Sequence, residues 1–300
     1  MYSAASASFT APELSRQVKQ GSSNLICCSE DAKDVAIATA KECGVPLSRV
    51  LVISSSPKWE MRSVEGGKTA LPSNGELDWE RITDQKQLEN SLICLLYSSG
   101  TTGIPKGKAC FRQGMGYMLT RMIGVELSHW NIVAECFIPT QMSREILANR
   151  EAKGEPPFEY RTLAHLPAAH IAGVQGYFIN PFYMGGPVYW MPKFDFPLFL
   201  KYNKEFRITF FFTVPPIYLL IAKMPIVTDQ FDSLEVAISG AAPLGKELQH
   251  AASAKLGKGK AFISQTWGLS ETTGSVTAMP WGEHDDTGSV SKLLPNTSIR

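Results

Sequence analysis

Short apolar runs alternate with helix-like segments along this chain, and that alternation limits the folds open to it. Leu25 to Cys28 follows the amphipathic stretch ELSRQVKQ, and a helix-like Asp31 to Cys43 leads into a strand-like Val50 to Ile53. Leu92 to Tyr97 is a further run. So are Ile208 to Thr213 and Leu234 to Ser239, each followed by a helix-like segment. Runs of this length, spaced by helical patterns, predict an α/β fold of parallel strands joined by crossover helices. The most apolar stretch, ITFFFTVPPIYLLIA from Ile208 to Ala222, is too short for a bilayer span and is interrupted by Pro215-Pro216. It reads as a buried strand followed by a helix with proline in its first turn. Residues 54–90 are polar and contain Gly and Pro, so a surface excursion or linker is expected there.

At 300 residues the chain is long enough for a sizeable core in one or two domains. Its 29 basic and 28 acidic residues nearly cancel, so neither a nucleic-acid nor an anionic-membrane partner is expected. The six cysteines form no C-x-x-C pair, which argues against a structural zinc and for reduced thiols. The opening MYSAASASFT has neither a basic start nor an apolar run, so no secretory leader is expected. An intracellular location, cytoplasmic or peroxisomal, stays open.

The segment richest in chemistry is YSSGTTGIPKG at 97–107. A buried strand runs into a turn where Gly100 and Gly103 let successive N–H groups approach an anion. Ser98, Ser99, Thr101 and Thr102 add hydroxyl donors, and Lys106 adds a mobile charge suited to phosphate. The spacing is not that of a G-x-x-x-x-G-K-[ST] loop. Taken on composition alone, such a turn is usually an ordinary solvated loop.

Three more segments follow in order: HLPAAHIAGVQG at 165–176, SGAAPLG at 239–245 and QTWGLSETTG at 265–274. Read singly, each has a plain structural alternative: a positioned histidine, a strand-to-helix turn, a surface turn with one glutamate. Together with SSGTTGIPKG they resemble the adenylate-forming acyl-CoA synthetase family, and within it the 4-coumarate–CoA ligase-like members. The resemblance extends to SFTAPELSRQVKQGSSNLICC near the start and to Gly288–Pro295 near the end, so it covers nearly the whole chain.

That resemblance implies a set of roles. Ser98, Ser99, Gly100, Thr101, Thr102, Gly103 and Lys106 would hold the ATP phosphates, with Thr102 and Lys106 acting in catalysis. Gly240, Ala241, Ala242 and Pro243 would pack main chain on the adenine. Gln265, Trp267, Gly268 and Ser270 would line the nucleotide, and Glu271 would be catalytic and hold Mg2+. His170 and Gly173 would border the acid pocket. The implied activity is MgATP-dependent conversion of a small carboxylic acid, aryl or fatty acyl, to an acyl-adenylate and its transfer to CoA.

The resemblance also implies that the beginning of the family's N-terminal domain and its whole C-terminal domain, with the catalytic lysine, lie outside this sequence. Residues 1–300 are therefore expected to form a partial AMP-binding N-terminal domain of the luciferase-like fold. A non-catalytic remnant or nucleotide-binding pseudoenzyme is the alternative. One block departs from the family. Between PKG and VELSHWN stand 17 residues, KACFRQGMGYMLTRMIG at 108–124, and deleting them restores the string PKGVELSHWN. Translated intron and true loop insertion are the two readings of that block.

Overall fold

In the computed structural model, residues 1–71, 80–97 and 124–299 are described. Contacts divide the chain into two units, 1–128 and 129–300.

In the first unit, strand β1 (Tyr2–Ser3) precedes helix α1 (Ala11–Gln20). Thr10 starts this helix. Its N–H and hydroxyl both donate to the Glu13 carboxylate, at 2.8 and 2.7 Å. Strand β2 (Ile26–Ser29), helix α2 (Lys33–Cys43) and strand β3 (Val50–Ser54) follow. Helix α2 stops at Gly44, whose φ of 69° suits a residue without Cβ, and the Gly44 N–H returns to the Ala40 carbonyl. Val18, Ile26, Ala36, Ala40, Val45 and Val50 form the buried cluster between helices and strands. Strands β2 and β3 pair in parallel, Ile26 opposite Val50, as the alternating pattern requires.

Residues 54–90 are not merely a linker. They supply strand β4 (Glu60–Ser63), antiparallel to β3, and helix α3 (Gln85–Asn90), capped by Asp84 Oδ1, which accepts from the Gln87 N–H at 2.7 Å. Strand β4 lies at the edge of its three-stranded sheet, where polar residues replace the apolar run that marks an inner strand. Strands β5 (Leu92–Leu96) and β6 (Val125–Ser128) complete the unit in a second sheet of order β1-β5-β6.

The second unit begins with helix α4 (His129–Ala152), 24 residues long and with Pro139 inside it. Pro139 has no N–H for the Glu135 carbonyl four residues earlier. Next to it the Thr140 hydroxyl donates to the Cys136 carbonyl. Strand β7 (Thr162–Ala164) pairs in parallel with β8 (Val188–Trp190). Between them the chain turns through α5 (Ile171–Gly173), a π-helical turn (Val174–Ile179) and α6 (Asn180–Met184). Helix α7 (Phe196–Glu205) leads to strand β9 (Phe210–Thr213), then helix α8 (Pro215–Lys223), strand β10 (Val236–Ser239), helix α9 (Lys246–Ser253) and strand β11 (Ile263–Gln265). The unit ends in two antiparallel pairs, β12 (Gly268–Leu269) with β13 (Gly274–Ser275) and β14 (Thr277–Ala278) with β15 (Lys292–Leu293).

Strands β9, β10 and β11 form the parallel sheet in the order β11-β10-β9, with Ala237 opposite both Phe211 and Ile263. Side chains alternate across it. Phe211, Ala237 and Ile263 enter the main core with Phe199, Tyr218, Ile221, Phe231 and Leu256. Burial of each large apolar side chain there contributes roughly 1.5–3 kcal/mol. Phe210, Val236 and Ile238 turn to the other face, where Tyr160 and Trp281 pack.

Candidate active site

The turn after β10 carries Gly240, Ala241, Ala242 and Pro243. Gly240 is buried, and a Cβ there would stand 2.6 Å from the Phe212 ring. Ala241 has φ +67°. It is exposed, as are Ala242 and Pro243. Gln265 at the end of β11 pins this turn. Its Oε1 accepts the Leu244 N–H at 3.0 Å and its Nε2 donates to the Leu244 carbonyl at 3.2 Å. The buried Gln265 side chain is thus committed to the turn.

Beyond Gln265, Thr266 and Trp267 tie back to Thr277: the Trp267 N–H donates to Thr277 Oγ1 at 2.8 Å. The Trp267 side chain is exposed. The hairpin β12–β13 follows, and Gly268 lies so close to it that a Cβ would come within 1.9 Å of the Gly274 carbonyl oxygen. At the hairpin tip Ser270, Glu271 and Thr272 form one 3-10 turn, braced by the Thr272 hydroxyl to Leu269 and Gly274. Glu271 is exposed and makes no hydrogen bond or ion pair among the described residues. Nor do the described residues contain any group of three or more His, Cys, Asp or Glu able to hold a metal. A lone free carboxylate fits Mg2+, which takes its remaining ligands from phosphate oxygens and water.

His170 begins α5, where its Nδ1 accepts the Ala172 N–H at 3.2 Å. In the neutral ring the proton is therefore on Nε2. The surrounding protein lowers the His170 pKa by desolvation. Gly173 is buried, and a Cβ there would meet the Pro167 carbonyl oxygen at 2.3 Å, so its contribution is close packing of main chain.

These segments surround one cavity of about 170 Å³. His170, Ala241, Gln265 and Gly268 line it; Gly173, Gly240, Ala242, Pro243, Trp267, Ser270 and Glu271 do not. Ser98, Ser99, Gly100, Thr101, Thr102, Gly103 and Lys106 lie outside the described residues, as does the block 108–123. The apolar wall comes from the face of the parallel sheet opposite the main core: Phe210, Phe212 and Ile238, with Met184 and Trp281.

Three polar members of the wall have no counterpart among the sequence-derived candidates. Glu135 of α4 accepts the Ser275 N–H at 2.7 Å through Oε1, and burial pushes its pKa up to about 8. Gln175 in the π-helical turn is buried, and among the described residues both of its amide atoms and the Tyr160 hydroxyl are unpartnered. Gln175 stands inside HLPAAHIAGVQG, so its place was marked although its orientation was not. Glu135 meets a residue 140 positions further along, which no local pattern reports.

A family model described as AMP-binding enzyme matches residues 1–300. A protein of Emericella nidulans named for acyl-coenzyme A synthetase activity is 45% identical over 301 residues, covering 100% of this chain and 50% of its own length. The acyl-CoA synthetase ACTT5 of Alternaria alternata is 30% identical over 305 residues, covering 100% of this chain and 47% of its own. The chain thus spans about half the length of the curated relatives it matches. Among solved structures, the anthranilate CoA ligase AuaEII in complex with anthranoyl-AMP superposes with a TM-score of 0.71. It is 19% identical, over 98% of this chain and 50% of that one. At that identity the likeness is one of fold. No helix among the described residues is long and apolar enough to cross a membrane.

Proposed function

Because the chain belongs to the family of AMP-binding enzymes, we propose that it acts as an acid–thiol ligase half-site. It would activate a small carboxylic acid with MgATP and pass the acyl group to CoA. One observation carries this reading. Three well-separated sequence segments, those of His170, Ala241 and Gln265–Gly274, all contribute to the wall of a single cavity.

In the first step a carboxylate oxygen bonds to the α-phosphorus of ATP. The bond from that phosphorus to pyrophosphate breaks, and pyrophosphate leaves with the electron pair. In the second step the CoA thiol loses its proton to solvent, its sulfur bonds to the acyl carbon, and the carbon–oxygen bond breaks as AMP leaves with the electron pair. The first step needs positioned charge more than covalent help from the protein. The hydroxyls of Ser98, Ser99, Thr101 and Thr102, the N–H groups at Gly100 and Gly103, and the Lys106 ammonium would hold the phosphates. Glu271 would hold Mg2+, which supplies charge neutralisation for the phosphates when bound. Gly240 to Pro243 would offer main chain to the adenine, held in shape by Gln265. Trp267, Gly268 and Ser270 would border the nucleotide. The partly desolvated His170 would border the acid with Nε2–H available as donor, and Gly173 would let that segment pack closely.

Pyrophosphate exchange into ATP, dependent on an added acid, tests the reading on the purified chain. Exchange above background supports it. ATP binding without exchange for any acid would assign the chain to the non-catalytic alternative.

A further inference from the structure

The cavity wall combines a large apolar surface with polar groups that the protein itself leaves without partners. Phe210, Phe212, Ile238, Met184 and Trp281 supply the apolar part. Against it stands the Glu135 carboxyl, fixed by one bond from the Ser275 N–H and without a second partner among the described residues. The carboxyl lies directly against main chain: a Cβ on Gly274 would come within 2.6 Å of Glu135 Oε1.

Among the described residues no lysine or arginine lines the cavity; the other titratable groups on its wall are Cys136, Tyr160, His170 and Tyr183. Nearby, Gln175 is 6% exposed, and among the described residues neither of its amide atoms is bonded and the Tyr160 hydroxyl and Asn180 Oδ1 are also unpartnered. Buried polar groups are almost always paired, and each one left alone is destabilising. The π-helical turn that carries Gln175 up to Asn180 is a rare geometry that recurs at functional sites.

We propose that Glu135 and Gln175 select the acid: the preferred substrate carries, on a ring-sized apolar body, a hydroxyl or amino group besides the carboxylate that reacts. The proposal rests on reading this cavity as the acid site. A hydroxyl or amino group both donates and accepts, so it answers the Glu135 carboxyl in either protonation state and the two unlike ends of the Gln175 amide. The size is set by the cavity. Its volume of about 170 Å³ is close to the roughly 150 Å³ that admits a benzene ring. A site with polar groups built for a ligand hydroxyl rejects the analogue lacking it, because those groups then stay buried and unpaired.

The test is calorimetric titration of the 300-residue chain, without ATP, using benzoic acid and phenylacetic acid and the ring-hydroxylated and ring-aminated isomers of each. At least one substituted isomer is expected to bind about tenfold or more tighter than its parent. That advantage should fall to within about twofold in Glu135→Leu and in the near-isosteric Gln175→Met. Equal binding of parents and all substituted isomers by the unaltered chain overturns the proposal without recourse to any variant. So does an advantage that survives both substitutions, or the absence of binding by every acid. Failure of the ligase reading looks different: the binding preference persists while pyrophosphate exchange stays silent.

Discussion

The amide of Gln265 grips both sides of one residue, taking the N–H of Leu244 and giving a hydrogen to its carbonyl, at 3.0 and 3.2 Å. The turn from Gly240 to Leu244 is thereby fastened to the end of β11. Gln265→Leu leaves both buried Leu244 groups unpaired, and each orphan costs about 1–3 kcal/mol. Urea denaturation should show a loss of roughly 2–4 kcal/mol. A change in midpoint equivalent to well under 1 kcal/mol would mean that the turn holds without this clamp.

Gly268 is required by contact, not by flexibility. Any side chain there meets the Gly274 carbonyl at 1.9 Å, so β12 and β13 must separate to admit it. Gly268→Ala should cost about 1–3 kcal/mol, the usual penalty for overpacking. It should also lower pyrophosphate exchange, since Ser270 and Glu271 ride on that hairpin. Exchange equal to that of the unaltered chain would refute the dependence.

Glu271 separates stability from activity. It is exposed and free of partners among the described residues, so Glu271→Gln should change stability by less than about 0.5 kcal/mol. Exchange should fall about a hundredfold or more, with a raised Mg2+ requirement. A large fall in melting temperature would instead make Glu271 a structural residue.

His165 is buried, with Nδ1 2.7 Å from the Leu163 carbonyl and Nε2 2.8 Å from Thr213 Oγ1. The carbonyl can only accept, so Nδ1 carries the proton and Nε2 receives the threonine hydroxyl. Burial depresses its pKa to about 4. Below the unfolded value of about 6.5 the unfolded chain takes up a proton that the fold refuses. Stability is therefore complete above that value and drains away as the pH falls toward 4, by about 3 kcal/mol. Denaturation midpoints measured from pH 7 to pH 4 should show that loss, and His165→Gln should flatten the acid limb.

Glu135 has the opposite sign. Its folded pKa, about 8, lies above the ordinary 4.5. Its stability is full below the ordinary value and is lost as the pH rises through 8, because the unfolded chain releases the proton first. Glu135→Gln keeps an acceptor for the Ser275 N–H and removes the titration. The variant should melt a few degrees above the unaltered chain at pH 8, and the difference should shrink toward pH 5.

The α/β alternation was legible because apolar runs such as Phe210–Thr213 and Val236–Ser239 sit where inner strands must be. Helix α4 was not, since Pro139 interrupts it and its apolar residues keep no single face. Strand β4 escaped for the converse reason: at a sheet edge, polar residues suffice. At the site, the glycines and Gln265 were marked by motif, but what each does depends on atoms far along the chain, such as the Gly274 carbonyl or Leu244. Glu135 carries no motif at all and owes its role to Ser275.

Strands β9 and β10 answer to two compartments at once. Phe211 and Ala237 belong to the main core, while Phe210, Phe212 and Ile238, one residue away, line the cavity. The cavity wall can therefore change by exchanges at alternate positions without disturbing the packing that keeps the chain folded. The same ribbon tolerates no insertion, because a shift of one residue would trade the lining for the interior along its whole length.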